Sequence, residues 1–245
     1  MSVAVMLPTY NEAENIESLI RKIEALNLNL TIAVIDDSSP DGTAEIARKL
    51  NDEYGNIHVV SRPEKLGLGM AITAGFRYML SLRKVPNFII TMDADYSHNP
   101  LDIPRLLDTA RKGCDLVVGS RYIENGEVLG SSLGRRLISR MANVVARITV
   151  GTKLNDCTSG FRCYSQRYVR SVLPALHSQT YEIQIETVKR ARLGSFKIRE
   201  VPITFVNRKL GKSKLTTTEA QAFITYILKS VLRELVPSHV ESEHC

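Results

Sequence analysis

A chain of 245 residues buries a sizeable core and fits one large α/β domain better than two average ones. With 44% hydrophobic and 24% charged residues, its composition excludes a disordered or collagen-like polymer. The excess of 32 basic over 26 acidic residues, a net charge of +6, favours anionic partners without choosing among nucleic acid, phosphorylated ligands and an acidic membrane.

The first half alternates short apolar runs with amphipathic segments. Residues 3–7, 31–35, 57–60, 88–92 and 116–118 read as buried strands, and residues 13–26 and 43–53 as crossover helices. Asn11 and Ser39-Pro40-Asp41 mark the helix starts. This rhythm predicts a mainly parallel sheet with helices on both faces. Residues 122–134, rich in Gly, Ser and Glu, read as a loop before an amphipathic helix over 135–148. Helices over 166–173 and 181–193 precede a strand over 196–205, whose Pro202 places it at an edge or a bulge. A basic loop over 207–214 and a long helix over 217–235 follow. Cys114, Cys157, Cys163 and Cys245 have no C-x-x-C or metal-ligand spacing, which predicts reduced thiols in a cytosolic compartment. No secretion signal is expected, and no uncharged apolar stretch approaches the roughly 18 residues that span a bilayer.

In a wound α/β sheet the ligand crevice lies beyond the carboxyl ends of the strands. The residues there are Pro8-Thr9-Tyr10-Asn11-Glu12, Asp36-Asp37-Ser38-Ser39, Asp93-Ala94-Asp95 and Gly119-Ser120-Arg121, so two acidic clusters and an arginine face one cleft. Alternate residues of an extended segment project to one side. Asp93 and Asp95 therefore present two carboxylates to one hard cation, which Mg²⁺ or Mn²⁺ suits; the competing reading has one of them capping the next helix and the other solvated. Asp36 and Asp37 either form a turn or accept hydrogen bonds from a nucleotide's base or ribose.

The segments Leu7-Pro8-Thr9-Tyr10-Asn11-Glu12, Ile35-Asp36-Asp37-Ser38-Ser39-Pro40-Asp41-Gly42-Thr43, Lys65-Leu66-Gly67-Leu68-Gly69, Met92-Asp93-Ala94-Asp95-Tyr96-Ser97-His98, Gly119-Ser120-Arg121-Tyr122, Asn207-Arg208 and Ser213-Lys214-Leu215 together resemble the dolichyl-phosphate (polyprenyl-phosphate) mannose synthases. These are family-2 glycosyltransferases with the GT-A fold, a Rossmann-like single domain. The likeness runs in order along almost the whole chain. It implies a metal-dependent, inverting transfer of mannose from GDP-mannose to a dolichyl or polyprenyl phosphate, by a catalytic domain over 1–215 followed by an amphipathic segment over 216–245. By resemblance, Pro8, Tyr10, Glu12 and Asp36 or Asp37 hold the guanosine, while Asp93, Ala94 and Asp95 serve ribose, diphosphate and metal. Ser97, as a further metal ligand, stands where many microbial relatives have Gln.

A lipid monophosphate is already an anionic nucleophile, so the site needs cations rather than a base. Arg121, Arg135 and Ser139 are the candidates for gripping that phosphate. Arg208 and Lys214, with Lys209 and Lys212, lie in a loop expected to close over the donor diphosphate, so Asp95, Arg121 and Arg208 form the expected catalytic set. Asp156 is expected to bind sugar hydroxyls or act as a base, and Gln184 and Glu186 either line the acceptor side or hold structure. The apolar stripe of residues 217–235 packs on the core or meets a membrane surface or a small membrane-anchored subunit, which places the protein peripherally at the cytosolic face of a membrane, the endoplasmic reticulum in a eukaryote. Competing readings are a lipid-phosphate glucosyltransferase using UDP-glucose, an enzyme for a hydroxyl acceptor, and a nucleotide-sugar-binding scaffold. The acidic cleft opposes nucleic acid.

Overall fold

Val3, Val5 and Leu7 alternate with Ala4 and Met6 along β1 (Val3–Thr9), and all five are buried. A strand apolar on both sides must be covered on both sides. The computed structural model, which describes residues 1–207, places β1 inside a seven-stranded sheet. The strands are β2 (Leu30–Asp36), β3 (Ile57–Ser61), β4 (Phe88–Thr91), β5 (Leu116–Ser120), β7 (Arg162–Ser165) and β8 (Ile198–Pro202), in the order β3-β2-β1-β4-β7-β5-β8. Short strands β6 (Glu127–Leu129) and β9 (Thr204–Val206) form a separate parallel pair.

Helices α1 (Ala13–Glu24), α2 (Thr43–Tyr54) and α4 (Ile103–Arg111) bury their apolar faces against the Val3-Val5-Leu7 side. On the Ala4-Met6 side lie α3 (Leu68–Ser81), α5 (Leu133–Val150), α6 (Gln166–Val172) and α7 (Ile183–Leu193). The expected α/β sheet with helices on both faces is therefore found, and the expected helices that fall within the described residues begin and end within two residues of the observed ones. No described helix is long and apolar enough to cross a membrane.

Two features depart from expectation. The strand expected over 196–205 is two strands, because Ile203 turns inward and is buried between β8 at the sheet edge and β9 beside β6. Between β4 and β5 lies β7, antiparallel to both, where the sequence predicts no strand. Its four residues, Arg-Cys-Tyr-Ser, carry no apolar run. Arg208, Lys209, Lys212, Lys214, the helix expected over 217–235 and the boundary expected at 215 lie outside the described residues, as does Cys245. Cys114, Cys157 and Cys163 are free thiols.

The start of α3 is pressed against residues 178–180. A Cβ at Gly69 would lie 2.3 Å from the Ser178 carbonyl oxygen, and one at Gly67, whose φ is +92°, would lie 2.6 Å from that of Gln179. That backbone cannot retreat, because Glu186 accepts from the Ser178 amide at 2.9 Å and Glu182 from the Gln179 and Thr180 amides at 2.9 Å. Gly69→Ala is expected to lower stability by about 1–3 kcal/mol, as overpacking does. Denaturant unfolding checks this.

Candidate active site

The strand ends converge as the chain direction requires. Pro8, Thr9, Tyr10 and Glu12 after β1, Asp37 after β2, and Asp93, Ala94 and Asp95 after β4 line one cleft, which Lys65, Gly67, Leu68, Ala71 and Tyr181 complete. Every expected donor-side residue among those described reaches this cleft except Asp36. That carboxylate is buried within the turn, accepting from Thr9 Oγ1 at 2.8 Å, the Ser39 amide at 2.9 Å and Ser39 Oγ at 2.5 Å. Of the acidic pair, one member builds the loop and the other, Asp37, faces the ligand space.

The loops after β1 and β2 are laced together. Asp41 accepts from the Ala13 amide at 3.0 Å and the Thr43 amide at 3.1 Å, so one side chain satisfies the first turns of α1 and α2. Left-handed backbone at Asn11, Ser38 and Tyr96 bends all three strand-end loops over the cleft. Asn tolerates that conformation; Ser38 and Tyr96 adopt it at a cost of about 1–3 kcal/mol each, the strain that accumulates at functional sites.

Asp37 is nearly covered. Arg62 Nη2 donates to its Oδ2 at 3.3 Å; Arg62 Nε lies 3.0 Å from Oδ1 but is not aimed at it, so Oδ1 has no hydrogen-bond partner. Burial, the largest influence, raises the carboxyl pKa to about 6 despite the opposing arginine. Lys65, which the sequence places in a motif without assigning it a role, stands with its Nζ 4.9 Å from the Tyr10 ring centroid and adds a cation to the cleft.

The loop after β4 is fixed by a residue that sequence reasoning did not assign. His98 is buried between the Phe161 and Phe205 rings, at centroid distances of 5.1 and 5.6 Å, and its Nδ1 accepts the Asp93 amide at 3.1 Å. An accepting Nδ1 carries no proton, so the 3.7 Å approach of Asp93 Oδ2 is no ion pair. Burial lowers the imidazole's pKa in spite of Asp93 and Asp95, in agreement with a neutral ring. The Ser97 amide donates to Asp95 Oδ1 at 3.0 Å, and Ser97 Oγ is buried without a hydrogen-bond partner.

Residues expected on the acceptor side hold one another. Arg121 donates from Nε to Asp156 Oδ2 at 2.7 Å, and from Nη2 to Asp156 Oδ1 at 2.8 Å and Thr158 Oγ1 at 2.7 Å. Asp156 is fully buried, and although burial pushes its carboxyl up, Arg121 and nearby amides hold it below the ordinary carboxylate value. Both Asp156 oxygens, which the sequence offers to sugar hydroxyls or to a proton, are taken up here by Arg121 and the loop amides. Ser139 Oγ accepts from the Tyr122 hydroxyl at 2.7 Å, and Arg135 is exposed on the first turn of α5. Glu186 takes its structural alternative, buried and holding the amides of residues 177 and 178, whereas the buried Gln184 side-chain oxygen has no hydrogen-bond partner.

Asp156→Asn leaves the Arg121 guanidinium buried without its counter-charge and is expected to cost about 3–5 kcal/mol. A carboxyl lowered by folding stabilises above its unfolded value of about 3.9, and that increment is lost as pH falls through the folded value. Urea unfolding of the wild type should therefore lose stability below about pH 4, and the variant should lack this increment.

Residues 4–173 match the sequence profile of the family described as Glycosyl transferase family 2. The polyprenol monophosphomannose synthase of Mycolicibacterium smegmatis is 39% identical over 214 residues, 86% of this chain and 80% of the relative. The undecaprenyl-phosphate mannosyltransferase of Micrococcus luteus is 39% identical over 218 residues, 88% of each chain. Among solved structures, glucosyl-3-phosphoglycerate synthase of Mycobacterium tuberculosis superposes with a TM-score of 0.67 at 22% identity, covering 97% of this chain and 81% of that one. A mannosyltransferase of Pyrobaculum calidifontis, solved with GDP-mannose and Mn²⁺, gives 0.59 at 18%, covering 97% and 65%. These likenesses establish the GT-A fold.

Proposed function

The chain belongs to glycosyl transferase family 2, and from that premise we propose that it transfers mannose from GDP-mannose to a polyprenyl phosphate of the dolichyl or undecaprenyl kind. The supporting observation is the cleft itself, in which Asp37, Lys65, Asp93 and Asp95 meet at the strand ends. The 39% identity to two mannosyltransferases whose acceptors are polyprenyl phosphates supports the substrates.

On this reading Asp37 accepts hydrogen bonds from the nucleoside, Lys65 lies on the donor's anionic side, and Asp93 and Asp95 face the diphosphate. Among the described residues no group of three or more His, Cys, Asp or Glu side chains is placed to hold a metal. A Mg²⁺ or Mn²⁺ ion at Asp93 and Asp95 would draw its remaining ligands from the donor phosphates, water and the unpartnered Ser97 hydroxyl, a donor set of oxygens that suits either ion. The chemistry such an ion supplies is Lewis-acid stabilisation of the departing diphosphate.

The acceptor phosphate is charged at neutral pH, so the chain must orient it rather than deprotonate it. One phosphate oxygen forms a bond to the anomeric carbon as the bond to the diphosphate breaks, and the bonding pair leaves with GDP. A single displacement converts an α-linked donor into a β-linked product. Arg121, oriented by Asp156, with Ser139 and Arg135, forms the acceptor side.

Incubation with labelled GDP-mannose, polyprenyl phosphate and Mg²⁺ or Mn²⁺ should transfer label to the organic phase, with chelator abolishing it. Asp95→Ala should lower the rate about 100- to 1,000-fold, the loss seen when one charge-stabilising group is removed. Label appearing only on a water-soluble hydroxyl acceptor would overturn the assignment. Because the Asp37 carboxyl titrates near 6, GDP affinity by calorimetry should fall about tenfold between pH 7 and pH 5 as the carboxylate is protonated. Asp37→Asn should flatten that dependence.

A further inference from the structure

Between α5 and the segment that carries Asp156 stand two polar side chains with no role so far, Asn143 and Thr158. Asn143 is buried, and every one of its hydrogen-bonding positions is filled. Its Oδ1 accepts from the Cys157 amide at 2.7 Å and the Thr158 amide at 3.2 Å, while its Nδ2 donates at 3.0 Å to both the Ser139 carbonyl and Thr158 Oγ1. The side-chain amide cannot be turned round, because two N–H groups face its oxygen.

That orientation settles the proton at Thr158. Its hydroxyl oxygen accepts from Asn143 Nδ2 and, at 2.7 Å, from Arg121 Nη2, so both lone pairs are used and its own hydrogen is left for Asp156 Oδ1 at 3.2 Å. The same count settles Arg121. Its Nε and one Nη2 hydrogen go to Asp156 and the second Nη2 hydrogen goes to Thr158, which leaves Nη1 for a ligand. Two bonds to one carboxylate leave the guanidinium plane free to tilt about that edge. The third bond, to Thr158, fixes the tilt and with it the direction of Nη1.

We infer that Thr158, held by Asn143, is a positioning residue for the acceptor phosphate: it fixes Arg121 Nη1 relative to Ser139, whose carbonyl the same Asn143 amide holds. The inference rests on the proposed function in taking a polyprenyl phosphate as the ligand of Arg121. A grip on a phosphate that is already charged exists before transfer as well as during it, so its loosening raises the acceptor KM and leaves kcat alone.

Initial rates of the full-length protein are measured with GDP-mannose, Mg²⁺ or Mn²⁺ and a short polyprenyl phosphate. Thr158→Val, close in shape but without the hydroxyl, should raise KM for the polyprenyl phosphate about tenfold, the weight of one hydrogen bond to a charged group, with kcat and KM for GDP-mannose unchanged. Thr158→Ala should do the same, so the result does not hang on how valine packs, and Thr158→Ser should recover the acceptor KM. Arg121→Lys keeps a counter-charge for Asp156 but has no Nη2. In that background Thr158→Val should add nothing, because the hydroxyl acts through Arg121. A wild-type acceptor KM in Thr158→Val, an equal rise in both KM values, or a full further rise in the Arg121→Lys background would overturn the inference while transfer by the wild type stands. Wild-type protein that transfers no mannose to the polyprenyl phosphate would overturn the proposed function, and this inference with it.

Discussion

The antiparallel strand β7, wedged between β4 and β5, decides what the cleft contains. In an all-parallel sheet only the residues that follow each strand reach the crevice at the carboxyl ends. A strand running the other way also delivers the residues that precede it. Arg162 pairs with Thr91 of β4 and Val118 of β5, so residues 155–161 arrive beside Asp93 and Arg121. The approach is close: a Cβ on Gly160 would lie 3.1 Å from Asp93 Oδ1. Arg162 keeps the segment there. Its fully buried guanidinium donates at 2.7 Å to the carbonyls of Ser159, Cys157 and Gln184 and to the Thr187 hydroxyl, tying the segment to α7. Burying that charge without those acceptors would be strongly unfavourable, so the strand, the segment and α7 stand or fall together.

The same segment organises the charges. Asp156 takes up Arg121, and His98 stays neutral because it is buried and its Nδ1 accepts the Asp93 amide. A protonated imidazole at that position would offset the Asp93 and Asp95 carboxylates. Its neutrality leaves their negative charge available to a cation, while the ring still fixes the loop through a hydrogen bond. Asp36 gives up ligand binding to build the turn that presents Asp37. In the Asp36–Asp37 pair and in the His98–Asp93 contact, one member holds the backbone so that the other can face the cleft.

Much of this was legible in the sequence because parallel strands advertise themselves. Residues 3–7, 31–35 and 116–118 are continuous apolar runs, and Asp37, Asp93 and Asp95 follow such runs directly, so their convergence followed from chain direction alone. Three things were hidden for physical reasons. β7 is stabilised by the side-chain hydrogen bonds of Arg162 and by its two neighbours rather than by its own apolarity, which no local pattern reveals. Asp36 and Asp37 are adjacent and chemically alike, and only the turn geometry separates builder from binder. Amphipathic periodicity located α5, but periodicity reports that a helix has an apolar side and says nothing about which way that side turns.

The orientation of α5 bears on how a lipid acceptor reaches the cleft. A phosphate carried on a polyprenyl chain must meet the sugar in a polar site while its chain stays in an apolar phase, so the two environments have to adjoin. Tyr122 joins them here. Arg121 lies over its ring at 5.1 Å on one side, Arg140 lies over it at 5.8 Å, and its hydroxyl donates to Ser139 on α5. The path from the Asp156-held guanidinium to the exposed Leu137, Met141 and Ile148 of α5 thus runs through one aromatic side chain. A water-soluble acceptor would need no such arrangement. On the proposed function, a polyprenyl phosphate held by the acceptor-side cations would have its chain beside the apolar residues of α5.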